Sequence, residues 1–216
     1  MLVRKWMSKN PIVIEESANL SDAINLLKKH KIRRLPVMKK GKLVGIISDR
    51  DLKEASPSKA TSLDIWELHY LMSNIIVKTI MKKNVVTVTP DTTLERAAIL
   101  MYDNKIGGLP VLDSDKKLVG ILTEQDVFKA LINISGARFA ANRISIILKD
   151  TPGSIKDMMD VMRKYKFKYN SILTTHEGVK DGFREVLIRF QADKSEVEKI
   201  LKDLKSNYDN VELTID

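Results

Sequence analysis

Two short constellations in the chain bring together residue types that could hold a ligand. At Ser48 and Asp51, and again at Thr123 and Asp126, a hydroxyl residue is followed three positions later by a carboxylate. Each closes an apolar run, LVGIIS in the first case and LVGILT in the second. If a helix starts at that point, its first free backbone amides face outward and favour an anion. The hydroxyl could donate to a phosphate oxygen, and the carboxylate one turn on could accept both hydrogen bonds of a ribose diol. Together these groups suit a nucleoside phosphate. The same spacing is also the plain signature of a capped helix, and the two roles are compatible.

Basic residues lie close to the first constellation. Arg33 and Arg34 precede the segment LPVM, where the corresponding positions before LPVL are Gly107 and Gly108. Arginine offers a planar fork to phosphate oxygens, whereas glycine permits close backbone approach. The expectation is two inequivalent sites, with Arg33 and Arg34 gripping phosphate and Arg50, beside Asp51, as a further candidate.

The elements that would position these groups come from an internal repeat. VRKWMSKNPIVI from Val3 resembles VKTIMKKNVVTV from Val77, an offset of 74. At that offset Leu20, Ala23, Ile24 and Leu27 fall on Leu94, Ala97, Ala98 and Met101, both being the apolar stripe of an amphipathic helix. Capping signals precede them, Asn19 with Asp22 and Thr92 with Glu95. KIRRLPVM then matches KIGGLPVL, and KLVGIISDRDL matches KLVGILTEQDV at an offset of 75. Each copy reads as a short strand, a helix, two strands joined by a polar turn, and a closing helix. One copy alone would bury a marginal core, so the two are expected to pack as a pseudo-twofold pair.

The repeated L-P-V and G-I-[IL]-[ST]-x-x-D segments resemble the CBS domain, whose tandem pairs form the Bateman module. The stretch SDRDLKEASPS is similar to the acetoin-utilisation members of that family. The resemblance implies that Asp51 and Asp126 hold ribose, that Ser48 and Thr123 lie near phosphate, and that Ile12–Ile14 and Val86–Val88 contact the base, with Ile14 and Val88 as the apolar face. It implies an adenine nucleotide (AMP, ADP or ATP) or S-adenosylmethionine as a regulatory ligand. It also implies a homodimer and a downstream protein whose identity the sequence does not carry. Between the copies, Pro57 breaks the preceding helix, and Leu63, Trp66, Leu68 and Leu71 suggest a packed linker helix. His69 belongs to that helix rather than to a cofactor site.

Beyond residue 142 the pattern changes. Ile144, Ile146 and Leu148 alternate, Ile155, Met158, Met159 and Met162 take helical spacing, and the order continues to βαββαβ, a ferredoxin-like topology. The methionine stripe is read as core. With Asp150-Thr151-Pro152-Gly153 in the first strand-to-helix turn, this segment resembles the ACT domain. That resemblance implies an amino-acid site at Asp150 and Gly153, with Asn170 facing them from the second strand; alternatively Gly153 merely permits the turn and the domain only dimerises. The fold class is therefore α/β (α+β), divided as CBS domain 1 (1–60), linker helix (61–76), CBS domain 2 (77–135), linker (136–142) and ACT-like domain (143–216).

Composition narrows the function. The chain of 216 residues is 44% hydrophobic and 30% charged and has no cysteine, so thiolate chemistry and disulfides are excluded. The N-terminus has no apolar core after its charges, no run is long enough to cross a membrane, and a cytoplasmic protein is expected. His30, His69 and His176 lie in three separate segments without metal-ligand or catalytic spacing, so neither a metal site nor an enzyme is expected. The net charge of +9 is concentrated before residue 143, because the remainder holds 14 Lys and Arg against 13 Asp and Glu. A basic half suits anionic phosphates. The alternative is a nucleic-acid-binding regulator, although no helix-turn-helix, zinc-finger or aromatic RNA-binding signature accompanies the charge.

Overall fold

The computed structural model describes residues 1–56, 64–139 and 142–215. The chain separates into two compact units, Met1–Phe128 and Lys129–Asp216. This division falls within one continuous helix rather than in the 136–142 segment where the sequence pattern changes. Pro57 and Leu63 lie outside the described residues, as do the side chains of Leu68 and His69. No helix of the described residues is long and apolar enough to cross a membrane.

The first unit begins with a 3-10 turn (Val3–Lys5) and β1 (Ser8–Lys9). The first repeat continues with β2 (Ile14–Glu15), α1 (Leu20–His30), β3 (Arg34–Lys39), β4 (Lys42–Ser48) and α2 (Asp49–Ala55). Helix α1 starts at a capping box between Asn19 and Asp22 and buries Leu20, Ala23 and Leu27. Each such side chain contributes roughly 1.5–3 kcal/mol for Leu and less for Ala. The β3–β4 hairpin turns through Lys40 and Gly41, both at positive φ (48° and 76°), the geometry that matches strand twist in a two-residue loop.

Helix α3 (Ile65–Asn74) and the short α4 (Val77–Ile80) lead into the second repeat. Met72 of α3 packs on the first repeat's core. Trp66, expected on the packed stripe, is instead 82% exposed, because the helix turns its Met72 face inward. The second repeat follows with α5 (Leu94–Asn104), β5 (Gly108–Leu112), β6 (Leu118–Thr123) and α6 (Glu124–Ser135). The cap of α5 is Thr93, which accepts from the Arg96 amide, and not the expected Thr92. Thr92 Oγ1 is taken by the Thr89 amide, and Glu95 binds the N-terminal amine of Met1.

The two repeats exchange their leading segments. Val3 N–H donates to Thr92 O at 2.9 Å and Leu94 N–H to Met1 O at 2.8 Å. Reciprocally, Val77 N–H donates to Ala18 O and Leu20 N–H to Ile75 O, each at 2.8 Å. Strand β1 then pairs with β6, Ser8 opposite Ile121, while Lys82 bridges Ile46 of β4. The reciprocity is that of a pseudo-twofold pair. It also explains the glycine inside each LVGI run. A Cβ at Gly45 would sit 2.4 Å from Met81 Sδ and 3.1 Å from Lys82 O, and one at Gly120 would sit 2.6 Å from Met7 Sδ and 3.1 Å from Ser8 O. Glycine lets the exchanged segment lie this close without displacing the methionine or the segment's backbone.

In the second unit β7 (Asn142–Lys149), α7 (Ser154–Arg163), β8 (Lys168–Thr175), β9 (Phe183–Gln191), α8 (Lys194–Asn207) and β10 (Val211–Ile215) form an antiparallel sheet in the order β10-β7-β9-β8. This is the βαββαβ ferredoxin-like topology that the alternation predicts. Met158 and Met162 are fully buried with Ile144, Ile146, Ile188 and Phe190, so the methionines are core. The last turns of α6 join this unit, where Ser171 Oγ donates to Ser135 O at 2.7 Å.

Candidate functional site

The first unit holds two repeat-related clefts. The larger, of about 500 Å³, contains Arg33, Arg34, Ser48, Arg50 and Asp51. The smaller, of about 330 Å³, contains Thr123 and Asp126 and again Arg33 and Arg34. Both volumes fall in the range of small-molecule sites.

Each cleft is composite because of the segment exchange. Ser48 and Asp51 of the first repeat meet Lys82, Asn84 and Val86 of the second, with Lys105 at the rim. Thr123 and Asp126 of the second repeat meet Ser8, Asn10 and Ile12 of the first, with Lys31 at the rim. Lys31 and Lys105 end α1 and α5 in left-handed conformations (φ 52° and 53°). Ile12 and Val86 open the two segments expected to contact the base; the other contributors were not singled out from the sequence. Their signal was the offset itself, since Asn10 with Asn84 and Lys31 with Lys105 are identical pairs 74 residues apart.

The hydroxyl–carboxylate pairs are joined to one another at the helix starts, with the carboxylates as acceptors. Asp51 Oδ2 accepts from Ser48 N–H at 2.8 Å and from Ser48 Oγ at 2.5 Å. Asp126 Oδ2 accepts from Thr123 N–H at 2.8 Å and from Thr123 Oγ1 at 2.7 Å. One carboxylate oxygen is thus committed to the cap and Oδ1 remains to accept from a ligand. In the first cleft that oxygen faces Lys82 Nζ at 3.4 Å. The single hydroxyl proton of Ser48 or Thr123 is spent on its own aspartate, so neither hydroxyl donates to a phosphate in this arrangement. The donors left for a phosphate are the arginines and lysines.

Arg34, with Arg33 and Glu124, is common to both clefts. Its guanidinium donates to Gly107 O. A Cβ at Gly107 would lie 2.4 Å from Arg34 Nη2, and one at Gly108 would lie 2.7 Å from Arg34 Cδ. The Arg-for-Gly difference between the repeats is therefore a fit: the arginine of one copy occupies the space that the glycines of the other leave. Burial pushes the Arg34 pKa below its ordinary value, opposed by the nearby Glu124 and Asp49 carboxylates.

Ile14 and Val88 do not line the clefts. They are 4% and 5% exposed, buried where each repeat's first strand pairs in parallel with the LPV strand. The cleft walls are instead formed two residues earlier, by Ile12 and Val86, which precede the paired residues Ile14 and Val88 and so lie outside the strand alternation.

In the second unit, Asp150 accepts from Arg184 Nε at 2.7 Å and lies 2.9 Å from His176 Nε2. Arg184 first, and then His176, hold its carboxyl below the usual range. Gly153 caps α7 at φ +92°, a conformation that a side chain would strain. Asn170 does not face this turn. It sits at a register shift near the start of β8, against Gly136, whereas β8 reaches Asp150 only through its far end and His176. Five residue steps of extended chain separate Asn170 from Thr175, about 17 Å.

Known structures resemble the first unit. The CBS domain pair of protein MJ0100, solved with 5′-methylthioadenosine and S-adenosyl-L-methionine, is 31% identical with a TM-score of 0.51, covering 61% of this chain and 95% of that one. CBSX2, solved with AMP, is 35% identical with a TM-score of 0.51 over 62% and 97%. A putative acetoin utilization protein from Vibrio cholerae is 31% identical with a TM-score of 0.52 over 64% and 95%. The family model for the CBS domain matches residues 3–58 and 77–133, one match for each repeat. The chain belongs to the CBS-domain family.

Proposed function

We propose that the protein is a non-catalytic regulatory sensor that binds adenosine-type ligands in its two clefts. The carrying observation is the composite geometry. In each cleft the free oxygen of a capping aspartate, an apolar wall from the partner repeat and a set of cations surround one cavity of ligand size. The carboxylate suits a ribose diol, the wall a purine, and the cations a phosphate. The similar pairs solved with AMP and with S-adenosyl-L-methionine support the same ligand class. Because both repeats build both clefts, a ligand that favours one relative placement of the repeats shifts the populations of the two states. The βαββαβ unit, with its Asp150–Gly153 turn, is read as an ACT-like partner module that dimerises the chain or takes an amino acid.

Calorimetric titration with AMP, ADP, ATP and S-adenosylmethionine tests the reading, repeated on Asp51→Ala, Asp126→Ala and the double variant. Each single substitution should remove one site, and the double variant should lose ribonucleotide binding while remaining folded. Absence of binding to the unmodified chain at millimolar ligand would overturn it.

A further inference from the structure

We infer that the two clefts are graded by charge: the Ser48–Asp51 cleft takes the ligand with the longer phosphate tail, and the Thr123–Asp126 cleft takes an adenosine-type ligand of low charge. The inference rests on the adenosine-ligand reading above and assigns the ligand within it. The evidence is a set of repeat-related positions at which one cleft carries a cation and the other does not. Lys82, 3.4 Å from Asp51, has Ser8 as its counterpart at the offset of 74. Arg50 has Gln125, and Lys53 has Phe128, at the offset of 75. Lys82, Arg50 and Lys53 all line the first cleft, and Ser8 and Gln125 line the second.

Beyond the shared Arg33, Arg34 and Glu124, four cations and two carboxylates line the first cleft, against two cations and one carboxylate in the second. The cavity sizes run the same way, about 500 Å³ against about 330 Å³. A triphosphate needs both the room and the donors. In the second cleft, Ser8 and Gln125 can hydrogen-bond a neutral sugar or sulfonium ligand but offer no charge to a polyphosphate. Lys82 and Arg50 are exposed and belong to no buried core, so their exchange reads ligand choice rather than folding.

The test uses the full chain, titrated with adenosine, AMP and ATP. In Lys82→Ser combined with Arg50→Gln, ATP affinity at the tighter site should fall about a hundredfold, roughly tenfold per lost charged contact, with adenosine affinity changed by less than about threefold. The reciprocal pair, Ser8→Lys with Gln125→Arg, should raise ATP affinity at the weaker site by about tenfold or more. An ATP-to-adenosine affinity ratio that stays constant in both variants, with adenosine still bound, would overturn the grading and leave the sensor reading intact. If none of the three ligands binds the unmodified chain, the sensor reading itself is defeated.

Discussion

The two clefts are built to one plan from repeated sequence, yet they are not equivalent. Both place a capping aspartate opposite an exchanged segment, and both share Arg34. Asp51, however, is 7% exposed and paired with Lys82, whereas Asp126 is only partly buried and has Ser8 in the lysine's place. The difference shows how a duplicated scaffold acquires two chemistries. The helices, strands and glycine contacts that shape a cleft are retained in both copies, while the exposed side chains around it diverge without cost to the fold.

The most severe way to break the comparison is to remove the aspartates one at a time. Asp51→Ala should abolish ribonucleotide binding in the larger cleft, an affinity loss of about a hundredfold or more, and cost about 2 kcal/mol of stability, since it also empties a buried cap. Asp126→Ala should cost about 1 kcal/mol for its more exposed cap. Calorimetry and urea unfolding separate the two effects, and equal stability losses would deny the difference in burial any consequence.

Gly45→Ala and Gly120→Ala probe what the clefts have in common. Each forces the exchanged segment off its strand and should cost about 1–3 kcal/mol by overpacking, measured by urea unfolding. Gly45→Ala displaces Met81 and Lys82 and should weaken the first cleft only; Gly120→Ala displaces Met7 and Ser8 and should weaken the second only. Arg34→Gly, which makes this one position match Gly108 of the second repeat, should lower AMP affinity about tenfold in both clefts; a loss confined to one would show that the guanidinium serves a single site. The smallest expected effect is at the caps, where Asn19→Ala and Thr93→Ala should each cost about 0.5–1 kcal/mol, with the Asn19 box, satisfied from both sides, the larger of the two in thermal unfolding.

Much of this was legible in the residues. The stripes on α1 and α5, the hairpin at Lys40-Gly41, the hydroxyl–aspartate starts of α2 and α6, and the βαββαβ order all follow from periodicity and local turn chemistry, which act within a few residues. Local reading failed where two candidates stood side by side, as with Thr92 and Thr93, where a hydrogen bond to the Thr89 amide decided which hydroxyl caps α5. It failed also at Ile14 and Val88, where an apolar residue at a strand could face either the ligand or the core. At Asn170 the error lay in pairing: the residue type was suitable, but register carried it to the opposite end of the sheet from Asp150.

The sequence by itself determined the duplication, through a repeated pattern at a fixed offset, and the element types and the hydroxyl–aspartate pairs Ser48–Asp51 and Thr123–Asp126, which are encoded in spacings shorter than a helix or a hairpin. Only the tertiary structure decided that each pair is completed by the other repeat and that Arg34 fills the space left by Gly107 and Gly108. Those outcomes depend on contacts between residues about 40 to 115 positions apart. Two similar segments could each have packed on either repeat, and only the closure of both cores selected the exchange.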